Sequence, residues 1–339
     1  MKIYIPGDSA SQSVGSDLVA VAIAAEAAKR NLEIQIIRNG TRGALWLEPL
    51  VEVEKEGKRI GFTNVSSDDA AAVLDGTHPS IGNVDSFEWL ASQDRITYKR
   101  VGIIDPLSIA DYEAHGGFKG LVRAQSMSQA DIVAEVTESG LRGRGGAGFP
   151  AGIKWKTVMD AAADQKYICC NADEGEPGTF KDRVLLSQKA DLLIEGMTIA
   201  ALTLQARKGF IYLRGEYKHL KAHLEQALQT RRDQGWLAQG LSEGHGIDFD
   251  IEIRLGAGAY VCGEESALIE SLEGKRGVPR IRPPFPAVVG LLGGPTVINN
   301  VETLASVPHI MLGGGEWYAS LGTPKNGGTR LFCLSGHVA

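Results

Sequence analysis

Ser139-Gly-Leu-Arg-Gly-Arg-Gly-Gly-Ala-Gly-Phe-Pro-Ala-Gly-Ile-Lys-Trp155 sets six glycines, two arginines and a lysine beside two aromatic side chains. Glycines without a Cβ let the backbone bend sharply and approach a ligand closely. Arg142, Arg144 and Lys154 add positive charge to the same stretch, a combination suited to a phosphate-bearing cofactor. Gly143, Gly145 and Gly148 form a G-x-G-x-x-G pattern. A dinucleotide fingerprint of that form follows a strand. Here Gln129–Glu138 precedes it, with Ile132, Val133 and Val136 at helical spacing. No Gly-Lys-Ser or Gly-Lys-Thr follows, so this is not a Walker A loop either.

Three further runs carry chemistry. Cys170-Asn-Ala-Asp-Glu-Gly-Glu-Pro-Gly-Thr-Phe-Lys-Asp-Arg183 follows an expected strand, Tyr167–Asn171, where α/β folds place ligands. Asn171, Asp173, Glu174 and Glu176 crowd its turn and suit sugar hydroxyls or an amide. Helix capping by the same acids is the plainer reading. Gly256-Ala-Gly-Ala-Tyr-Val-Cys-Gly-Glu-Glu-Ser266 again joins a strand to a helix, and Cys262 reads as a packed residue. Arg280-Ile-Arg-Pro-Pro-Phe-Pro286 is stiffened by three prolines. It leads to Gly293-Gly-Pro-Thr-Val-Ile-Asn-Asn-Val-Glu-Thr303, where Asn299, Asn300 and Thr303 are expected to open a helix. Plain N-capping accounts for Asn300 and Thr303 equally well.

The whole chain, 339 residues with 43% hydrophobic and 22% charged side chains, has room for two or three domains. A net charge of −6 argues against nucleic-acid binding. No apolar run is long enough to span a bilayer, and Met1–Gly7 reads as a strand and turn rather than a signal peptide. The expected location is the cytoplasm, with reduced thiols. Cys169, Cys170, Cys262 and Cys333 form no C-x-x-C pair, so no metal site is expected within these residues.

Patterning predicts an N-terminal module over 1–90 with Lys2–Ile5, Leu32–Arg38, Leu50–Glu54 and Arg59–Thr63 as strands. Ser16–Lys29 is its first helix, and Ser66 or Ser67 caps a last one through Leu74. That order is compatible with a thioredoxin-like domain, one without cluster cysteines. His78 to about Gly120 reads as a connector, with the domain boundary drawn at 91–120. From 121 to 325, helices and strands alternate as in a largely parallel α/β sheet: Arg183–Leu204, Gly209–Leu213, His219–Arg232, Phe249–Leu255 and Glu264–Leu272. Residues 311–325 read as a second connector. Leu331–Ser335 begins another strand, so 326–339 is expected to start a further, truncated domain.

Taken together, the runs Gly140–Trp155, Asn171–Arg183, Gly256–Glu265, Pro283–Ala287 and Val297–Thr303 resemble the flavin- and NADH-binding (51 kDa-type) subunit of respiratory complex I. The same fold serves in soluble NAD-linked hydrogenases and NAD-dependent molybdenum or tungsten formate dehydrogenases. The resemblance implies an α/β Rossmann-like domain holding FMN, with hydride exchanged directly between NAD(H) and flavin at roughly 3–3.5 Å. It assigns Gly143, Arg144, Gly145 and Lys154 to the FMN phosphate. Asn171, Asp173 and Glu174 would meet the ribityl chain and ring edge, Gly263 and Glu264 the isoalloxazine, and Ile298, Asn299, Asn300 and Thr303 the rest of the pocket. For NAD it implies Phe149 and Phe285 around the adenine, with Glu176, Tyr260 and Glu265 near the polar parts. No proton-transfer residue is required; Glu176 is the candidate for tuning charge and access beside the flavin. Thr157 and Arg282 depart from the pattern, where an aromatic residue and a lysine are common.

The N-terminal module and the run Arg38–Val53 are similar to the β subunit of formate dehydrogenase, which implies an iron–sulfur γ subunit and a molybdenum-containing α subunit as partners. The family pattern continues into a β-grasp domain and a bundle whose cysteines bind a 4Fe–4S cluster, expected beyond residue 339. The alternatives are a diaphorase subunit of a hydrogenase or a complex I-type enzyme, a Mg²⁺-dependent nucleotide enzyme of kinase-like fold, and a docking subunit with a decayed site.

Overall fold

A computed structural model describes residues 1–238 and 247–337. The chain divides into two compact units, Met1–His115 with Ser187–Lys189, and Gly116–Leu186 with Ala190–Ala339.

In the first unit, strands β1 (Lys2–Tyr4), β2 (Gln35–Ile37), β3 (Val51–Lys55), β4 (Lys58–Phe62) and β5 (Ser80–Asn83) form one sheet in the order β2-β1-β3-β4-β5. β1 and β2 are parallel and joined through helix α1 (Ser16–Lys29); the other pairs are antiparallel. Alternation puts Ile3, Val51, Val53 and Phe62 into a core with Val19 and Ile23 of α1 and Val73 of α2 (Ala70–Asp75). Between β3 and β4, Glu56 and Gly57 both take positive φ, the pair a tight hairpin demands. Of the two candidate caps, Ser66 opens the 3-10 turn Ser67–Asp69 that leads into α2, its N–H and Oγ both donating to Asp69 Oδ2 at 2.8 and 2.6 Å, while Asp69 is the N-cap of α2 itself.

The stretch read as a connector is structured. β5 forms an edge strand within it, short and polar with Gly82 at φ +72, so it carries no periodic signal. Helices Glu88–Ala91, Ile109–Ala114 and Lys119–Gln125 follow, each too short to show a face. In the division into units, 91–115 fall with the first and 116–120 with the second.

The second unit is built on four parallel strands: β6 (Tyr167–Ala172), β7 (Lys208–Leu213), β8 (Asp250–Leu255) and β9 (Thr296–Asn300), ordered β8-β7-β6-β9. Helix α3 (Gln129–Glu138), N-capped by Ser128, leads into the glycine loop, and α4 (Ala151–Asp160) leaves it. Helices α5 (Lys181–Gln188) and α6 (Ala190–Leu204) join β6 to β7; α7 (Lys221–Asp233) lies between β7 and β8. Helix α8 (Glu265–Leu272) follows β8, and α9 (Val301–Gly313) follows β9. Nearly all of α6 is buried, and it crosses α9 at Gly196, where a Cβ would sit 2.1 Å from Leu304 O. Only glycine permits that approach. No helix among the described residues is long and apolar enough to cross a membrane.

Four expectations are corrected. The single helix over Arg183–Leu204 is two, interrupted at Lys189, where Ser187–Lys189 belong with the first unit and Gln188 Oε1 accepts from Gly102 N at 2.9 Å. Asn299 and Asn300 end strand β9, and α9 opens only at Val301, with Asn300 as its N-cap. The connector over 311–325 holds a helix, Gly315–Ser320. Residues 331–335 form no strand: Leu331 N donates to the Glu302 carboxylate at 3.0 Å, and Phe180 N to Cys333 Sγ at 3.2 Å. Of the stretch read as a further domain, 338 and 339 lie outside the described residues.

Candidate functional site

Along the sheet, the chain moves from β6 outward through β7 and β8, then returns to the other side of β6 as β9. Open α/β sheets bind ligands in the crevice beside such a reversal, which here falls at the carboxyl ends of β6 and β9. The register pairs Asn171 with Asn300 there. The loops after the strands, including Asp173–Phe180 and Gly256–Gly263, start from this edge.

The glycine loop is fastened to the same edge. Arg144 N donates to Thr303 Oγ1 at 2.9 Å, and a Cβ on Gly145 would lie 3.3 Å from Asn300 Cβ. Gly143 N bonds Phe149 O and Arg142 Nη1 bonds Gly148 O, closing the loop on itself at 2.9 and 2.8 Å. Gly146 and Gly148 take φ of +109 and +64 beside open space. The loop ends at Pro150, so Lys154 and Trp155 stand on helix α4, not in the loop as expected. From that helix Trp155 Nε1 reaches Asn299 Oδ1 at 2.9 Å, and Lys154 Nζ reaches Ile298 O at 3.1 Å and Glu265 Oε2 at 2.9 Å.

Two side chains with expected ligand roles are committed elsewhere. The guanidinium of Arg144 is buried and donates to Arg142 O at 3.0 Å and Gly327 O at 2.9 Å. It braces the loop from behind; what it offers the crevice is backbone. Glu174 is buried with both oxygens taken. Oε1 accepts from Asp182 N at 3.0 Å, and Oε2 from Arg183 N at 3.2 Å and Tyr217 Oη at 2.8 Å. It therefore satisfies the orphan N–H groups at the start of α5. Burial, then the nearby Asp182, raises its pKa.

Asp173 is the opposite case. Its N–H donates to Asn171 Oδ1 at 3.1 Å, and Asn171 Nδ2 donates to Gly263 O at 2.8 Å, so the second and third loops are tied together here. Yet Asp173 Oδ2 is buried and has no hydrogen-bond partner. Burial pushes its pKa up to about 6, against the pull of Arg214. A buried, unpaired carboxylate oxygen costs stability unless something else meets it. A ribityl hydroxyl or ring N–H would supply that missing donor, so the residues present fit a flavin.

Glu264 N-caps α8, accepting from Ser266 N and Ala267 N at 2.9 Å each, and pairs with Arg282 at 2.5 Å. Glu265 pairs with Arg282, at 3.3 Å, as well as with Lys154. Tyr260 Oη bonds Glu176 Oε1 at 2.5 Å on the surface. Phe149, Phe285 and Tyr260 are more than half exposed. The thiols of Cys169 and Cys170 are fully buried on β6 and pushed up by burial, which leaves them unreactive. Cys262 is packed in the core beside Gly277. Among the described residues, no cluster of His, Cys, Asp and Glu could hold a metal ion.

The supports behind these residues have no signal in the sequence. Behind Asn300, Lys181 Nζ pairs with Asp182 at 2.7 Å and with Glu302 at 3.0 Å, and Asn300 Nδ2 donates to Asp182 Oδ2 at 2.5 Å. Burial raises the pKa of Glu302, against the pull of Lys181. Arg214 donates to Glu174 O at 2.5 Å. Apart from the neighbours Lys181 and Asp182, these partners lie at least 40 residues apart, so no local spacing announces them.

Residues 136–309 match the Nuo51 FMN-binding domain. The chain is 49% identical over 244 residues to the second F-type polypeptide of NADH-quinone oxidoreductase from Rhizobium meliloti, covering 72% of this chain and 58% of that one. It is 55% identical over 205 residues to the NAD-reducing hydrogenase HoxS subunit alpha of Cupriavidus necator, covering 60% and 34%. A crystal structure of an NAD⁺-reducing NiFe-hydrogenase in the H2-reduced state aligns with TM-score 0.61 and 35% identity, over 100% of this chain and 57% of that one. The chain thus spans little more than half, or less, of the relatives it matches. It belongs to the complex I 51 kDa-type family, defined by the Nuo51 FMN-binding domain.

Proposed function

We propose that this chain is a diaphorase module that binds FMN in the β6/β9 crevice and exchanges hydride between it and NAD(H). The observation that carries the reading is the buried, unpartnered Asp173 Oδ2, set beside Asn171 and Gly263 where the strand order reverses. When bound, FMN supplies two-electron exchange with nicotinamide and one-electron exchange with iron–sulfur clusters. The backbone of Gly143–Gly148 cradles the phosphate, with Lys154 adding charge from α4. Asn171 and Asp173 orient the ribityl chain. Gly263 gives the ring room, and Ile298, Asn299, Asn300 and Thr303 hold the loop against it. Glu174 and Glu264 act at one remove, by capping α5 and α8. Phe149 and Phe285 offer the adenine two faces, and Glu176, Tyr260 and Glu265 line the approach of the dinucleotide.

The module serves a larger cytoplasmic electron-transfer complex, with 4Fe–4S ligands supplied by a segment beyond this chain. The run Arg38–Val53 supports the β subunit of a NAD-dependent formate dehydrogenase, working with an iron–sulfur γ subunit and a molybdenum-containing α subunit. A NAD-reducing hydrogenase is a second reading of equal weight, favoured by the alignment to a hydrogenase chain over 100% of this one. The sheet order of the first unit supports a thioredoxin-like module in either. The test begins with the visible spectrum of the purified protein and NADH–ferricyanide turnover. Flavin absorbance bleached by NADH is expected; a colourless protein that takes up no added FMN overturns the reading. Co-purified subunits assayed with formate and with H2 separate the two complexes.

A further inference from the structure

Within the first unit, a cavity of about 240 Å³ is lined by Arg42, Asp85, Gln93, Arg95 and Lys99 over Leu90, Val101 and Ile103. Its three cations are not equally compensated. Arg42 is buried and grips Glu52 with two bonds, at 2.7 and 2.8 Å, and reaches Asp85 at 3.2 Å. Glu52 is shared with Arg59 at 3.3 Å. Arg95 has no carboxylate partner among the described residues. Its Nε donates to Gln93 Oε1 at 3.0 Å, and its guanidinium lies 6.0 Å from the Trp89 ring centroid. Lys99 likewise forms no ion pair among the described residues. Burial, followed by repulsion from Arg42, lowers the pKa of Arg95. Four cations, Arg59 included, thus stand against two carboxylates, Glu52 and Asp85.

A half-buried guanidinium facing like charge is costly unless an anion answers it. The surplus of two positive charges matches a dianion. The planar fork of Arg95 and the point charge of Lys99 are the donors that phosphate oxygens accept best. We propose that this cavity is a binding site for a phosphate dianion, either free phosphate or the phosphate group of a small soluble monoester. Arg95 and Lys99 are its primary ligands, and Arg42, locked in place by Glu52, forms its wall. The site shares no residue with the flavin crevice, since all of its lining residues fall between 42 and 103.

Calorimetric titration of the full chain with inorganic phosphate, and separately with glycerol 3-phosphate, tests this at low salt. Saturable binding by at least one is expected, and which one binds identifies the source. Arg95→Gln and Lys99→Gln should each weaken it by about tenfold, the scale of one charge-assisted contact. Lys99 is exposed, so its variant folds whatever happens to Arg95→Gln. Lys55→Gln, on the hairpin, should bind as the unaltered chain does. No saturable binding by either compound, or binding undiminished in Lys99→Gln, overturns the proposal.

Discussion

Asn171 and Asn300 stand side by side in register at the ends of two adjacent parallel strands, although 129 positions separate them in the chain. Asn171 reaches across to Gly263 O, while Asn300 caps α9 and holds Asp182. Between them they tie together the loops that bound the crevice, which gives each loop a separate test.

The glycine loop lies on Asn300 with no room to spare. Gly145→Val places branched carbons where even a Cβ would be 3.3 Å from Asn300 Cβ. The φ of Gly145 is not in the left-handed region, so backbone strain is not the issue. The loop must lift from the strand ends, and flavin affinity should fall by at least about tenfold. Flavin-to-protein ratio after gel filtration measures it, with circular dichroism unchanged.

Glu174 is a test of capping against cofactor contact. In Glu174→Gln one acceptor oxygen becomes a donor that faces N–H groups or the Tyr217 hydroxyl. A loss of about 1–3 kcal/mol is expected, read as a lower urea midpoint at unchanged slope. Flavin bound per folded molecule should stay the same; a selective loss of flavin would restore a direct contact.

Glu176 is exposed and bonded to Tyr260 Oη. On the proposed approach of the dinucleotide past Glu176, removing the charge in Glu176→Gln should relieve repulsion of its phosphates, so KM for NADH should fall roughly two- to fivefold, as for a surface charge. Tyr260→Phe keeps the charge and should not lower KM. If Glu176→Gln leaves both KM and the rate of oxygen reduction unchanged, its tuning role is excluded.

Glu48 gives the first unit a pH dependence. It is buried, Oε1 has no partner, and Oε2 accepts from Leu50 N at 2.9 Å. Burial lifts its pKa from 4.5 to about 7, with Asp8 adding to the rise. The folded state therefore holds the proton more tightly than the unfolded chain. The contribution is fully present below about pH 4.5 and lost as pH rises through about 7. The loss is on the order of 3 kcal/mol. Urea midpoints across that window should flatten in Glu48→Gln; an unchanged slope with pH would assign the dependence to other groups.

Much of the fold was legible in the linear chain. Helix α3, strands β6 to β8 and the β3–β4 hairpin follow from hydrophobic period and turn residues, which are local properties. So did the strand-end position of the acidic loop. What escaped were short elements such as β5 and the break at Lys189, where no local pattern exists and pairing or a distant partner decides.

The residues of Ser139–Trp155, Asn171–Arg183, Gly256–Ser266 and Gly293–Thr303 determined by themselves the chemistry available: glycine backbone, cations, amides and acids on loops of an α/β sheet. Only the tertiary structure decided which of those groups are free. It committed the Arg144 guanidinium to Gly327 O and the Glu174 carboxylate to α5 and Tyr217, and it left Asp173 Oδ2 buried and unanswered. Residue type fixes what a side chain can donate or accept. Burial and hydrogen-bond partnership are set by contacts between residues far apart in the chain, and those exist only once the sheet has reversed its order at β6 and β9.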